Sequence, residues 1–413
     1  MSLAQTVTSV SELRAVPRKV RAPNTDYNVS IGYLRAFITV LVVAHHAALA
    51  YATFAPPVAP SLTAQPRWWQ AFPIVDLHKW SGADALVGFN DTFFMSLMFF
   101  ISGLFLWKSV QRKQITGFLR DRALRLGVPF LGAAAIIAPL AYYPTYLQTG
   151  NHGLSGFLHQ WLSLGVWPAG PAWFVWLLLA FDFVAAGLYF YRPTWGEAAG
   201  CFFARFSGKP VRFFGCLIAL SAPVYLPMAM KFSPVSWTQF GPLAFQTNRL
   251  FHYFVYFLLG ISLGAYGIER GILASGGKLA RRWLLWAVAA LMVFAATSAL
   301  VISVLTTGKA ASTQWQASID LVFTITCATT SVAMLAVFVR FAKKSRRTFD
   351  SLRDNAYGIY LVHYAFVSWL QYAMLKSQLS GFAKLSIVLS LAIALSWITT
   401  AALRRIPAVA RVI

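Results

Sequence analysis

The chain has 413 residues, of which 58% are hydrophobic and only 11% are charged, and its formal net charge is +23. Soluble proteins carry about 25% charged residues, so this composition excludes an ordinary soluble domain and predicts a protein that crosses a membrane many times. The positive charge does not indicate nucleic-acid binding, because Lys and Arg lie in short stretches between apolar runs, which is the pattern of membrane topology.

Apolar windows along the chain predict an all-α polytopic membrane protein with ten transmembrane helices. The predicted limits are 31–53, 92–108, 124–146, 171–191, 211–230, 250–268, 283–305, 317–341, 356–375 and 382–403. The membrane domain therefore covers residues 31–405. The polar residues 1–30 predict a basic, disordered tail, and residues 406–413 form a second, short tail.

The distribution of Lys and Arg predicts the orientation of these helices. If the N-terminus is cytoplasmic, 27 of these residues fall on the cytoplasmic side and 7 on the outer side, so both termini are predicted to be cytoplasmic. The tripeptide 48–50 also fits signal-peptide cleavage, but two histidines before it and the long basic tail favour an uncleaved first helix. Two long outer segments, 54–91 and 147–170, mix Trp with Pro and Gly and are predicted to roof a cavity.

The first predicted helix contains an arginine and two adjacent histidines, Arg35, His45 and His46. Arg35 and His46 are separated by about 1100° of helical rotation, so they share one face and lie about 16 Å apart along the axis. Arg35 is then predicted near the cytoplasmic boundary and His46 near the middle of the bilayer. A charged group at that depth costs on the order of 2.5–3.5 kcal/mol. This face is therefore predicted to point into the bundle or a wet cavity, where a neutral imidazole suits a general base.

Each of these residues also has a simpler explanation. Arg35 alone fits a topology anchor whose guanidinium reaches the interface, and an intramembrane His fits a hydrogen bond to a neighbouring helix. Arg122 and Arg125 lie three residues apart on one helical face. They fit either phosphate binding at the cytoplasmic mouth or ordinary positive-inside charge.

Further polar residues lie within the predicted spans. Tyr360 and His363 are one turn apart in the ninth helix and are predicted to bind substrate, although a hydrogen-bonded structural His fits equally well. Ser102 and Gly103 favour close helix packing over a serine nucleophile. The three cysteines share no C-x-x-C spacing, which predicts neither a disulfide framework nor a metal site. The polar residues that sequence alone does not rank are Asp182, His252 and Asp320.

Several short motifs occur in order along these helices. They are an arginine and a histidine with ten residues between them in the first helix, "FFISGLF" in the second, "RALR" continuing into "RLGVPF" in the third, "PAWFVWLLLAF" in the fourth and "YGIYLVH" in the ninth. Together, over residues 27–405, these motifs resemble acyltransferase family 3, a family of integral membrane proteins.

The resemblance implies an enzyme that moves an acyl group, of acetyl or succinyl type, from a cytoplasmic acyl-CoA to a hydroxyl of a cell-envelope carbohydrate. It implies a multi-pass protein of the bacterial inner membrane. It also implies that His46 is the catalytic base or relay and that Arg35, Arg122 and Arg125 bind the CoA phosphates.

One position departs from the pattern of the family. Many members have an Asp six residues before the serine of the second-helix motif, whereas this chain has Ser96 there. The chain is in this respect more similar to the branch that contains glucan-modifying enzymes. Any carboxylate that orients His46 must then come from elsewhere in the fold.

Two other functions fit the same ten helices. The first is a transporter or exporter of an envelope glycan or its precursor, although the repeated halves of many transporters are not found in this sequence. The second is a non-catalytic partner in envelope assembly. Substrate flux in proteoliposomes without an acyl donor would favour the transporter. A phenotype left unchanged by joint substitution of Arg35, His46, Arg122 and Arg125 would favour the partner.

Overall fold

A computed structural model describes residues 28–233, 236–307 and 312–413. Over these residues the backbone forms sixteen α-helices and one β-hairpin, whose strands β1 (Trp237–Phe240) and β2 (Leu243–Gln246) pair antiparallel. The helices are α1 (Val29–Leu49), α2 (Ser81–Leu104), α3 (Leu106–Arg122), α4 (Val128–Gly132), α5 (Ala138–Gln148), α6 (Leu154–Leu162), α7 (Trp173–Tyr191), α8 (Trp195–Ala204), α9 (Pro210–Lys231), α10 (Leu250–Tyr266), α11 (Lys278–Arg281), α12 (Trp283–Thr307), α13 (Thr313–Phe341), α14 (Arg347–Met374), α15 (Gly381–Leu403) and α16 (Pro407–Ala410).

The predicted all-α polytopic fold is confirmed. A helix lies at each of the ten predicted spans, and eight helical segments in the described part of the chain are long and apolar enough to cross a membrane. The other two predicted spans correspond to α10, which has 17 residues, and α14, whose first turns contain Asp350 and Arg353.

Two helix boundaries differ from the prediction, and both matter for the site. Helix α1 ends at Leu49 and not at residue 53, and α2 begins at Ser81, eleven residues before the predicted start. The early turns of α2 contain Asp84, Asn90 and Asp91, which lower the local hydropathy below that of a membrane span.

Most of the predicted N-terminal tail lies outside the described residues, and residues 29 and 30 already belong to α1.

The third predicted span is part of one helical segment, Leu106–Gln148. Two π-turns, at 123–127 and 133–137, separate α3, α4 and α5. Pro129 has no N–H to donate to the carbonyl of Arg125 four residues earlier, and that carbonyl instead accepts a hydrogen bond from the Tyr357 hydroxyl at 2.8 Å. Pro144 leaves the carbonyl of Leu140 free in the same way, and the Trp369 indole donates to it at 3.0 Å. The carbonyl groups that the two prolines leave free thus join this segment to α14 by hydrogen bonds.

Helix α1 lies at the centre of the bundle, packed against α2, α13, α14 and α15. Beside it, α2 and α10 approach closely through glycines. A Cβ atom on Gly103 would lie 2.3 Å from the carbonyl oxygen of Phe257, and one on Gly260 would lie 2.1 Å from that of Phe100. The close helix approach predicted from Gly103 is therefore present.

The loop between α1 and α2 is anchored by a buried ion pair. The Lys384 ammonium on α15 lies 2.7 Å from a carboxylate oxygen of Asp76, and both side chains are fully buried. The Asp76 backbone N–H donates to the carbonyl of Ala50, the residue after α1. Partial burial lowers the pKa of Lys79, whose ammonium also lies near the Ala50 carbonyl. These contacts fix the loop over the end of α1.

Candidate functional site

His46 faces the interior of the protein. Its ring is partly buried and packs against the rings of His363 and Tyr364 on α14, at centroid distances of 5.3 and 4.9 Å. His46 lies in the last turn of α1, about 4.5 Å along the axis from the final residue Leu49. It is therefore close to the C-terminal end of α1, which ends four residues earlier than the apolar pattern predicted.

His363 sits beside His46 in a single tautomer. Its Nδ1 lies 2.7 Å from the backbone carbonyl of Tyr360, and because a carbonyl only accepts, Nδ1 carries the proton. Nε2 of the neutral ring is then an acceptor, and it has no hydrogen-bond partner among the described residues. The Tyr360 hydroxyl donates to the carbonyl of Pro171. Of the two residues predicted to bind substrate, His363 thus contacts His46, and Tyr360 packs against His363 at 5.9 Å between ring centroids.

The neighbouring histidine points elsewhere. His45 packs against Phe94 on α2, with 5.2 Å between ring centroids. Within α2, Asp91 forms a bidentate ion pair with the buried Arg249, at 2.6 and 3.0 Å. Sequence analysis missed both members of this pair, because the predicted span began at residue 92. An acidic residue directly before an apolar run was the available signal.

A basic cavity of about 340 Å³ lies at the end of the bundle where α1 begins. Arg122 and Arg125 both line it, and Asn28, which caps α1, also contributes to its wall. The basic side chains that line it are Lys108, Arg112, Lys113, Arg122, Arg125 and Arg270, against the acidic Asp121 and Glu269. The surplus of cations suits an anionic ligand.

Two of the three predicted donor-site arginines, Arg122 and Arg125, contact a carboxylate through the same atom, Nε. The Nε of Arg122 lies 3.3 Å from the carboxylate of Asp182, which is almost completely buried in α7. The Nε of Arg125 lies 3.2 Å from the carboxylate of Asp121. The structure thereby gives Asp182 a role as the partner of Arg122.

One face of α14 connects the basic cavity with His46. The Tyr357 hydroxyl bonds the carbonyl of Arg125, which lines the cavity, whereas Tyr364 packs against His46. These two tyrosines are about 10.5 Å apart along the helix, and Tyr360 and His363 lie between them. Arg35 is exposed and, among the described residues, does not belong to the lining of this cavity.

The loop between α1 and α2 contacts the tyrosines beside His46. Its short 3₁₀ turn, Trp68–Gln70, places the carbonyl of Gln70 2.8 Å from the Tyr142 hydroxyl and 3.3 Å from the Tyr364 hydroxyl. The first of the two segments predicted to roof a cavity therefore reaches His46 through Tyr364.

The remaining polar residues take part in packing. The Ser102 hydroxyl donates to the carbonyl of Met98 in its own helix, in agreement with a packing role. His252 contacts Cys327 in the buried core, at 3.4 Å. Within the described residues, no group of three or more His, Cys, Asp or Glu side chains is placed to hold a metal ion.

Comparison with known proteins identifies the family. A family model described as an acyltransferase domain matches residues 28–401, nearly the whole chain. None of the curated proteins or solved structures compared with the chain matches it. The family match extends over α1 to α15 and includes both the basic cavity and the histidine cluster. The chain is an integral membrane protein that belongs to acyltransferase family 3.

Proposed function

We propose that the protein is an O-acyltransferase that uses a cytoplasmic acyl-CoA, of acetyl or succinyl type, to acylate a hydroxyl of a cell-envelope carbohydrate. The observation that carries this proposal is the face of α14 that links the basic cavity to His46 through Tyr357, Tyr360 and His363. The bacterial inner membrane is the location that fits such an acceptor.

The basic cavity suits the donor. Coenzyme A carries phosphate groups at one end and the thioester at the end of a long flexible arm. Guanidinium groups bind phosphate bidentately, and the carboxylates of Asp182 and Asp121 contact Arg122 and Arg125 through Nε. The phosphates then stay at the charged end of the bundle while the arm extends along α14. Arg35 would contribute positive charge from α1.

The histidine cluster suits the transfer step. His46 takes the proton of the acceptor hydroxyl while the hydroxyl oxygen attacks the carbonyl carbon of the thioester. The carbon–sulfur bond breaks, the coenzyme A thiolate leaves, and the protonated His46 returns the proton to the sulfur. The products are the O-acyl ester and free coenzyme A. Nε2 of His363, fixed as an acceptor by the Tyr360 carbonyl, would receive a hydrogen bond from the substrate and orient it.

Mass spectrometry of envelope glycans tests this function. Cells without the protein are complemented with the wild type, with His46→Ala or with the matched variant His45→Ala, at equal levels in the membrane. The wild type and His45→Ala are expected to add the mass of one acyl group to a glycan, and His46→Ala is expected to abolish the addition. Identical glycan masses in all cells, with glycan flux in proteoliposomes that needs no acyl donor, would instead support a transporter.

A further inference from the structure

A second cavity, here called the outer cavity, lies under the loop between α1 and α2. It has a volume of about 220 Å³ and is bounded by the prolines of this loop, by Trp68, Trp69 and Phe72, and by Thr145 and Gln148 near the end of α5. Trp68 keeps 43% of its surface exposed. The outer cavity is thus an aromatic pocket on the side opposite the basic cavity.

The lining of the outer cavity is uncharged. Among the described residues that bound it, none carries a charged side chain, whereas the basic cavity has six basic side chains. Burying an unpaired charge is costly, so the outer cavity suits a neutral ligand. A phosphate or a zwitterionic lipid headgroup would find no counter-charge in this lining.

Polar groups are nevertheless present in the outer cavity. Thr145 is buried, and its hydroxyl has no hydrogen-bond partner among the described residues. Such a group costs free energy unless a ligand or water satisfies it. The amides of Gln65 and Gln148 also line the cavity, although Gln148 already pairs with the backbone of Val75.

This combination matches the surface of a sugar. A pyranose ring presents C–H groups on its faces and hydroxyls around its rim. The faces of aromatic rings carry a negative potential that attracts such C–H groups, and hydroxyl and amide side chains pair with the rim. Prolines hold the loop in one conformation, which lowers the entropic cost of binding.

A series of contacting aromatic rings runs from the outer cavity to His46. Trp69 packs edge-to-face on Tyr142 at 5.1 Å, Tyr142 packs on Tyr364 at 5.6 Å, and Tyr364 packs on His46 at 4.9 Å. Contacting aromatic rings thus extend from the wall of the cavity to the histidine cluster. A ligand in the cavity would be held on the side of this cluster that faces the loop between α1 and α2.

We infer that the outer cavity is the acceptor subsite, which binds one neutral pyranose ring of the carbohydrate by stacking on Trp68 and hydrogen bonding to Thr145. This inference rests on the proposed function for the identity of the reaction, but the binding of a sugar can be measured without any acyl transfer.

The test measures the affinity of the purified full-length protein in neutral detergent for a linear tetrasaccharide of glucose, by NMR titration. Trp68→Ala and Thr145→Val are compared with Trp315→Ala. Trp315 is a matched control, because its surface is also 43% exposed and it lies near the start of α13, at the outer end of the bundle. A tetrasaccharide of uronic acid residues serves as the charged probe.

Trp68→Ala is expected to weaken binding about tenfold, which corresponds to about 1.4 kcal/mol, and Thr145→Val is expected to weaken it several-fold. Trp315→Ala should bind like the wild type, and the uronic acid probe should bind more weakly. Absent binding, or equal affinity in Trp68→Ala and Trp315→Ala, overturns the inference. Trp68-dependent binding without any transfer from acyl-CoA would instead refute the proposed function and leave the subsite standing.

Discussion

The arginines of the basic cavity differ from ordinary positive-inside residues in how they are held. A topology anchor needs only water or lipid phosphate around its guanidinium. Arg122 instead contacts a carboxylate that is almost completely buried in α7, and its guanidinium lies over the ring of Phe118 at 5.2 Å. A buried Asp is costly unless it is paired. The pairing with Asp182 therefore indicates that the position of Arg122 is specified.

Asp182→Asn tests this positioning. The variant is expected to raise the KM for the acyl-CoA that the wild type uses by about tenfold, which corresponds to about 1.4 kcal/mol, because Arg122 loses its support. The KM for the matching acyl-pantetheine, which has no phosphates, should stay unchanged. Asp320→Asn is the control, since Asp320 is also buried but lies on α13 and bonds Gln316. Equal effects on both donors would mean that Asp182 only stabilises the fold.

At the scale of residues, the sequence predicted which side chains share a face of one helix better than it predicted contacts between side chains on different helices. Periodicity placed Arg35 and His46 on one face, yet it did not show that only His46 contacts the cluster around His363. Asp182 was visible as an intramembrane carboxylate, but its partner lies on a helix distant in sequence. Asp91 was hidden because its neighbours Gly88 and Asn90 resemble a loop in composition.

At the scale of helices, the packing of α2 on α10 depends on backbone contact. Gly260 and Gly264 follow a G-x-x-x-G spacing, and a Cβ on either would overlap a carbonyl oxygen of α2, at 2.1 and 1.9 Å. Asp91 lies near the middle of α2 and Arg249 directly precedes α10, so the separation of these helices also sets the geometry near His45.

Gly260→Ala is expected to destabilise the protein by about 1–3 kcal/mol, the usual cost of overpacking, because the helices must separate. Gly187→Ala in α7 is the matched control, since a Cβ there meets nothing within 4 Å and alanine favours the helix by about 0.5–1 kcal/mol. Thermal unfolding in detergent measures both. A melting temperature for Gly260→Ala at or above that of Gly187→Ala would contradict the close packing.

The existence of the helices followed from composition, but their irregularities did not. Apolar windows fell on a helix at all ten predicted positions, eight of them in segments long and apolar enough to cross a membrane, because lipid imposes a length and a hydropathy on each span. The π-turns around Pro129, the early start of α2 and the hairpin at 237–246 depend on partners far away in sequence, such as Tyr357, which satisfies the carbonyl that Pro129 leaves free.

At the scale of the whole molecule, two cavities of opposite character lie at opposite ends of the bundle. The basic cavity has an excess of cations, and the outer cavity is uncharged. The distribution of Lys and Arg predicts that the basic end is cytoplasmic. A charged donor and a neutral acceptor would then approach His46 from different sides of the membrane.

Cysteine labelling tests this orientation. Lys344→Cys, between α13 and α14, and Lys376→Cys, between α14 and α15, are placed at exposed positions on opposite ends of α14, with Cys201 and Cys216 changed to Ser. A membrane-impermeant maleimide is expected to label Lys376→Cys in intact cells and Lys344→Cys only after permeabilisation. The reverse pattern would show that the basic cavity opens to the outside.

The role of His46 is tested most directly by the rate of a single turnover with purified protein, labelled acyl-CoA and an excess of acceptor. His46→Gln keeps a side chain that forms hydrogen bonds but removes the base, and His45→Gln makes the same change at the adjacent position. His46→Gln is predicted to slow transfer by about 10²–10⁴-fold, the usual contribution of a general base, with unchanged binding of acyl-CoA, whereas His45→Gln should transfer at close to the wild-type rate. Transfer by His46→Gln at the wild-type rate would contradict the account.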